Sequence, residues 1–231
     1  QIDFVWQGGE PTILGIDYFR RIIELQDKYR PDGIRLTNAL QTNGTLLNAK
    51  WADFLKDNRF LVGISIDGPR KLHDRYRRNR AGQPTFSAVM RGLELLMTHG
   101  VEHNVLVAVH RQNALKPAAV YRFLRGLGVE FIQFIPIVER SFDGRTLAPP
   151  PGDGPGTDDP KVAPFSVSPR AYGRFLCEVF DLWVRHDVGR VFVQHFDVLL
   201  GLWMGLPATL CYFAPECGQN LALEHNGDLY A

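Results

Sequence analysis

Cysteine is scarce in this 231-residue chain, which carries three: Cys177, Cys211 and Cys217. So few in a chain this long exclude a disulfide scaffold, and they read as reduced cytoplasmic thiols or metal ligands. An excess of charge of one sign is also lacking. Lys and Arg number 26 against 25 Asp and Glu, a formal net charge of +1 that supplies no general attraction to nucleic acid or to an anionic membrane. No stretch approaches the roughly 20 apolar residues of a membrane span, and no signal peptide opens the chain. Neither nucleic acid nor membrane is therefore expected as a partner, and a cytoplasmic location is. The densest basic stretch, Arg75 to Arg80, is short and reads as a solvated surface turn. The histidines, His73, His99, His103, His110, His186, His195 and His225, form no metal-ligand pair at helical spacing and read as surface or core residues. No Ser/His/Asp or Cys/His nucleophile arrangement stands out. Trp51, Trp183 and Trp203 sit at helical spacings and read as core anchors.

What the chain has is apolar content, 45% of its residues, enough to bury a sizeable core. The apolar runs Ile2 to Trp6, Ile34 to Gln41, Phe60 to Ile66, Val101 to Val109 and Phe131 to Ile137 read as short buried strands. Between them, Tyr18 to Tyr29, Ala49 to Asp57, Phe86 to His99 and Pro117 to Gly126 repeat apolar residues at helical spacing. Strand and helix in turn predict an α/β fold of right-handed βαβ units on a parallel sheet. The Pro/Gly-rich Ala148 to Pro160 reads as a long exposed loop and a boundary. A helix over Pro169 to His186, a strand at Val191 to Gln194 and a helix from about Phe196 to Gly205 follow. His225-Asn226-Gly227-Asp228 reads as a hairpin turn. Gln1 leads directly into a strand, and the last strand begins as the chain stops. The sequence therefore reads as a fragment.

Ligands of parallel α/β sheets bind beyond the carboxyl ends of the strands. The unusual residues gather there. The first strand ends in Gln7-Gly8-Gly9-Glu10-Pro11, the second in Gln41-Thr42-Asn43-Gly44, the third in Ser65-Ile66-Asp67-Gly68-Pro69 and the fifth in Pro136-Ile137-Val138-Glu139. Two glycines let a ligand approach the backbone, Glu10 offers an acceptor to a cationic group, and Pro11 stiffens the exit. Each element has its own turn chemistry, Asn43-Gly44 and Asp67-Gly68 being favoured turn dipeptides. Gathered at one sheet end, they offer hydroxyl, amide and carboxylate to a shared cleft.

Those motifs, together with Thr45-Leu46, Arg77, Phe131-Ile132-Gln133-Phe134-Ile135 and Cys211-x5-Cys217-Gly218, resemble the radical S-adenosylmethionine (AdoMet) enzymes, and within them the anaerobic sulfatase-maturating enzymes. The resemblance covers nearly the whole chain. It implies an incomplete parallel (β/α) barrel and an AdoMet site. The methionine amino group would lie against Gly9 and the turn of Gln7, Gly8 and Glu10. Ser65 would bond the ribose or nearby polar atoms, Arg77 would pair with the cofactor carboxylate as a guanidinium fork, and Val138 would line the adenine pocket. The implied chemistry is cleavage of AdoMet at a 4Fe-4S cluster to a 5′-deoxyadenosyl radical. The radical oxidises a Cys or Ser of a sulfatase polypeptide to formylglycine, with a reductant such as flavodoxin or ferredoxin supplying electrons.

The chain departs from that pattern in lacking the CxxxCxxC triad of the radical cluster, whose ligands would precede Gln1. No catalytic residue is therefore assigned within it. Cys177 lies in an amphipathic helix and reads as a buried core thiol. By the resemblance, Cys211 and Cys217 are ligands that begin an auxiliary 4Fe-4S site. The expected organisation is a partial barrel over 1–147, a loop over 148–165, a helical extension over 166–206 and the start of an auxiliary-cluster domain over 207–231. Three readings stay open: a sulfatase-maturating enzyme, a radical maturase that crosslinks or epimerises another peptide, and a degenerate barrel that binds peptides.

Overall fold

The computed structural model describes residues 1–143, 147–148, 161–216 and 220–230. Its centre is a parallel sheet of six strands. β1 (Ile2–Trp6), β2 (Leu36–Thr42), β3 (Leu61–Ser65), β4 (His103–Val109) and β5 (Phe131–Pro136) stand side by side in chain order. The two-residue strands β6 (Arg140–Ser141) and β7 (Lys161–Val162) pair antiparallel with each other, and β8 (Phe192–Val193) completes the large sheet next to β5. The register steps regularly, with Trp6 beside Leu40, Thr42 beside Ile64 and Ser65 beside Leu106. All carboxyl ends therefore share one rim.

Helices α1 (Ile16–Tyr29), α2 (Ala49–Asp57), α3 (Arg70–Tyr76), α4 (Phe86–Thr98), α5 (Pro117–Gly126), α6 (Pro169–His186) and α7 (Gln194–Trp203) connect the strands or follow them. Parallel neighbours in chain order, joined by crossovers of one hand, place the connecting helices on one face of the sheet. That face holds the core. Trp6 of β1 and Trp51 of α2 both meet Phe19 of α1 edge-on, at 5.9 and 5.6 Å between ring centres. Leu40, Val62, Ile64, Val105 and Val107 are fully buried. Each such side chain contributes about 1.5–3 kcal/mol on burial. On the opposite face Val5, Leu61, Phe131, Ile135 and Phe192 stay exposed, as expected of the inner wall of an open barrel.

Local chemistry sets the boundaries. The Asn48 side chain accepts from Trp51 N at 3.1 Å to start α2, and Ser168 caps α6 ahead of Pro169. Gly92 brings α4 against the turn after β2, where a Cβ would stand 2.5 Å from the Gly44 carbonyl oxygen. Behind the sheet, the Tyr121 hydroxyl donates to Asp187 Oδ2 at 2.7 Å, and Arg125 lies 3.5 Å from the same oxygen. This ties α5 to the end of α6. Burial and the nearby Asp187 charge push the Tyr121 phenol far above its ordinary range.

Two expectations need correction. Cys177 is exposed rather than a core thiol, because it lies on the side of α6 opposite the stripe that buries Phe175 and Val179. Trp203 is 89% exposed rather than a core anchor, being the last residue of α7, while Trp51 and Trp183 are buried. The basic stretch is solvated for most of its length, as expected, but its first two residues, Arg75 and Tyr76, close α3, a helix the sequence did not show, and Arg77 is half-buried. The expected loop Ala148 to Pro160 lies outside the described residues apart from Ala148. The hairpin around Asn226-Gly227 is present as β9 (Ala222–Leu223) antiparallel to β10 (Leu229–Tyr230).

Tyr121→Phe deletes the hydroxyl and leaves the buried Asp187 carboxylate without its closest side-chain donor. The expected loss is about 1–3 kcal/mol in denaturant titration. A loss below about 0.5 kcal/mol would show that Arg125 and water satisfy Asp187 alone.

Candidate cofactor-binding rim

The turn after β1 is held open by a carboxylate that faces inward. Glu10 Oε1 accepts from Thr12 N at 3.1 Å, Thr12 Oγ1 at 2.5 Å and Thr42 Oγ1 at 2.7 Å, and Oε2 accepts from Asn43 N at 2.7 Å. Glu10 thus clamps the carboxyl end of β1 to that of β2, with most of its acceptor capacity committed to the protein. The expected role as acceptor for a cationic group becomes a structural one first. Its clamp fixes the two residues before it. Gly8 and Gly9 have φ of +94° and +55°, and a Cβ at either would meet nothing within 4 Å. These glycines are required by backbone conformation, and the space over them is open for a ligand.

The second element is built on Asp67, two residues beyond β3. Its carboxylate is almost wholly buried, with Oδ1 accepting from Ala108 N at 2.9 Å and from Arg77 Nη2 at 3.1 Å, and Oδ2 from Arg77 Nε at 2.7 Å. Arg77 is therefore no free surface arginine. Its main chain is anchored as well: N donates to His73 O at 3.0 Å and O accepts from the Thr85 hydroxyl at 2.8 Å. Asp67 N donates to His73 Nδ1 at 3.3 Å, which leaves the His73 proton on Nε2, 3.2 Å from Thr85 Oγ1. Asn113 Nδ2 closes the network by donating to Asp67 O at 3.1 Å and Ala108 O at 2.9 Å.

Among the described residues, the Gln7 and Ser65 side chains and Arg77 Nη1 have no hydrogen-bond partner. The rim thus presents an amide, a hydroxyl and a guanidinium end near open glycine backbone. Val138 follows β5 on the same rim and is exposed. Sequence reasoning took Asp67 for turn chemistry and did not find His73, Thr85 or Asn113 as its partners. The available signal for Asp67 was an acid directly after a strand end; Asn113, 46 residues on, gave none.

The remaining candidates lie elsewhere. Cys211 opens a short 3-10 turn, Cys211–Phe213, and is exposed, while Cys217 lies outside the described residues. Among the described residues no group of three His, Cys, Asp or Glu is placed to hold a metal ion. A cavity of about 1200 Å³ opens at the other end of the sheet, where Leu61, His103 and Phe131 start their strands, so it is distinct from the rim. No helix among the described residues is long and apolar enough to cross a membrane.

Residues 2–124 match the Radical SAM superfamily, and the chain belongs to that family. Over its whole length it is 44% identical to a serine-type anaerobic sulfatase-maturating enzyme of Bacteroides thetaiotaomicron, covering 55% of that protein. It is 34% identical to a cysteine-type anaerobic sulfatase-maturating enzyme of Clostridium perfringens, covering 98% of this chain and 58% of that one. A solved structure of native anSMEcpe with bound AdoMet and Cp18Cys peptide superposes with a TM-score of 0.84 at 33% identity, covering 99% of this chain and 60% of that chain. The chain thus spans little more than half the length of these relatives.

The network carries a pH signature. Burial holds His73 and His110 below their ordinary value of 6.5; for both, Asp67 opposes the shift and Arg77 adds to it. The unfolded chain then takes up protons below 6.5 that the native fold refuses, so stability falls as pH drops through that value. The slope steepens as pH falls through 6.5 toward a limit of about 1.4 kcal/mol per pH unit for each histidine, read from denaturant titrations between about pH 7.5 and 5.5. Flat stability across that window would mean that both rings titrate in the native state as they do in the unfolded chain.

Proposed function

We propose that this chain supplies the AdoMet-binding rim of an anaerobic sulfatase-maturating enzyme, which oxidises a Ser or Cys of a sulfatase polypeptide to formylglycine. The observation that carries the reading is the open Gly8–Gly9 backbone, set on the same rim as Gln7, Ser65 and the partner-free end of Arg77. The residues fit the cofactor. The N–H and C=O groups of the Gly8–Gly9 turn suit the methionine amine and its neighbours, Ser65 suits a ribose hydroxyl, and the guanidinium of Arg77 suits a carboxylate. Val138 offers an apolar contact for adenine. When bound and reductively cleaved, AdoMet supplies a 5′-deoxyadenosyl radical for hydrogen abstraction.

The chain's own residues do the positioning. Glu10 keeps the glycine turn open, and Asp67 and Thr85 fix Arg77. The open inner face of the sheet gives a polypeptide substrate access from the same side. This chain contains no CxxxCxxC triad, so no step through a radical cluster is derived from its residues. Residues 207–231 are assigned to the start of an auxiliary 4Fe-4S domain, with Cys211 and Cys217 as two of its thiolates. A small acidic reductant such as flavodoxin or ferredoxin and a cytoplasmic setting complete the reading.

In the whole protein, Arg77→Ala is expected to weaken AdoMet binding by about 1.5–3 kcal/mol in calorimetric titration, the size of a lost hydrogen bond to a charged group. Unchanged affinity would remove Arg77 from the site. After anaerobic reconstitution with iron and sulfide, Cys211→Ala and Cys217→Ala should each lower bound iron, while Cys177→Ala, on an exposed helix face, should alter neither iron nor stability. Equal iron in all three variants would exclude the auxiliary-cluster assignment.

A further inference from the structure

Arg77 meets Asp67 side-on, through Nε and Nη2. A guanidinium has five N–H groups in one plane and can hold two carboxylates at once, one on the Nε side and one across its Nη1/Nη2 end. Asp67 takes the first of these faces. The second carries one Nη1 proton and the remaining Nη2 proton, and Nη1 has no partner among the described residues. The arginine side chain is 27% exposed against 3% for Asp67, so the pair joins a buried acid to a cation that keeps part of its surface open. Asp67 itself cannot swing away, because Oδ1 is also held by Ala108 N and its main-chain oxygen by Asn113.

We propose that Asp67 is a positioning residue for the cofactor, holding Arg77 side-on so that the Nη1/Nη2 end faces the AdoMet carboxylate. This rests on the reading of Arg77 given above. Without Asp67 the long arginine side chain would sample many rotamers, and closing it on a ligand would cost the conformational entropy that the buried pair has already removed. Asparagine keeps the shape of Asp67 but turns an N–H₂ group toward either Ala108 N–H or the arginine donors, a repulsive contact in both orientations.

The test compares AdoMet with its decarboxylated analogue in the whole protein, across the native form, Arg77→Ala, Asp67→Asn and the double variant. Equilibrium binding gives each protein's preference for the carboxylated ligand. Arg77→Ala should lower that preference by about ten- to a hundredfold, the range for one charge-assisted contact. Asp67→Asn should lower it by about tenfold and raise KM for AdoMet without raising KM for the peptide, and should add nothing once Arg77 is gone. A merely structural role gives another pattern. Asp67→Asn would then weaken both ligands alike, or add in full to Arg77→Ala, and either result overturns the proposal. Preference unchanged in Arg77→Ala would instead overturn the carboxylate contact itself. A preference lost in Arg77→Ala but kept in Asp67→Asn would overturn the role of Asp67 alone.

Discussion

The rim depends on one buried acid. Asp67 takes a carboxylate out of water, and such a charge persists only where donors replace the lost hydration. It finds them on two elements at once: the guanidinium beyond α3 and the Ala108 amide of β4. The strand end, the loop of Arg77 and the neighbouring strand are thereby fixed relative to one another. Removing either partner of a buried pair costs on the order of 3–5 kcal/mol, because the other charge stays behind. That is the reason an arginine can be both a surface cation and a rigid group.

Glu10 repeats the device one strand away. Its two oxygens collect donors from the turn after β1 and from the end of β2, so neighbouring strands are tied where ladder hydrogen bonds stop. Parallel strands leave their last amides and carbonyls unpaired at this rim; the inward carboxylates accept from the amides of Asn43 and Ala108, and Asn113 donates to the carbonyls of Asp67 and Ala108. What remains outside is backbone that a side chain would obstruct, together with polar groups that have no partner among the described residues. A ligand rich in amine, carboxylate and hydroxyl groups matches this remainder. The same arrangement explains the location of the site relative to the larger cavity, whose wall of Leu61, Phe131, Phe192 and Leu206 is mainly apolar.

The layout of the sheet was legible because β-branched runs and helical periodicity alternate without interruption over Ile2 to Pro136. The strand-end motifs were legible for a related reason: glycine pairs and acids in those places have few structural uses apart from turns and sites. What escaped was long-range or depended on which side of an element a residue faces. Nothing in Asp67-Gly68 distinguishes a turn acid from a buried hub, since its partners at Arg77, Ala108 and Asn113 are brought close only by the crossover connections. Cys177 was misread because an amphipathic helix buries one stripe, and an offset of two residues from both Phe175 and Val179 carries a side chain to the opposite side. Trp203 was misread because apolar spacing carries no information about where a helix runs out of neighbours. α3 was missed because arginines dominate its surface and its single fully buried residue is a histidine.

The most direct test of the account is an anaerobic crystal structure of the whole protein with AdoMet. The account predicts the cofactor carboxylate about 3 Å from the Nη1 and Nη2 atoms of Arg77, with Asp67 still bonded to Nε and the methionine amine over the Gly8–Gly9 turn. AdoMet seated away from that rim, or bound to an Arg77 that has left Asp67, would contradict it.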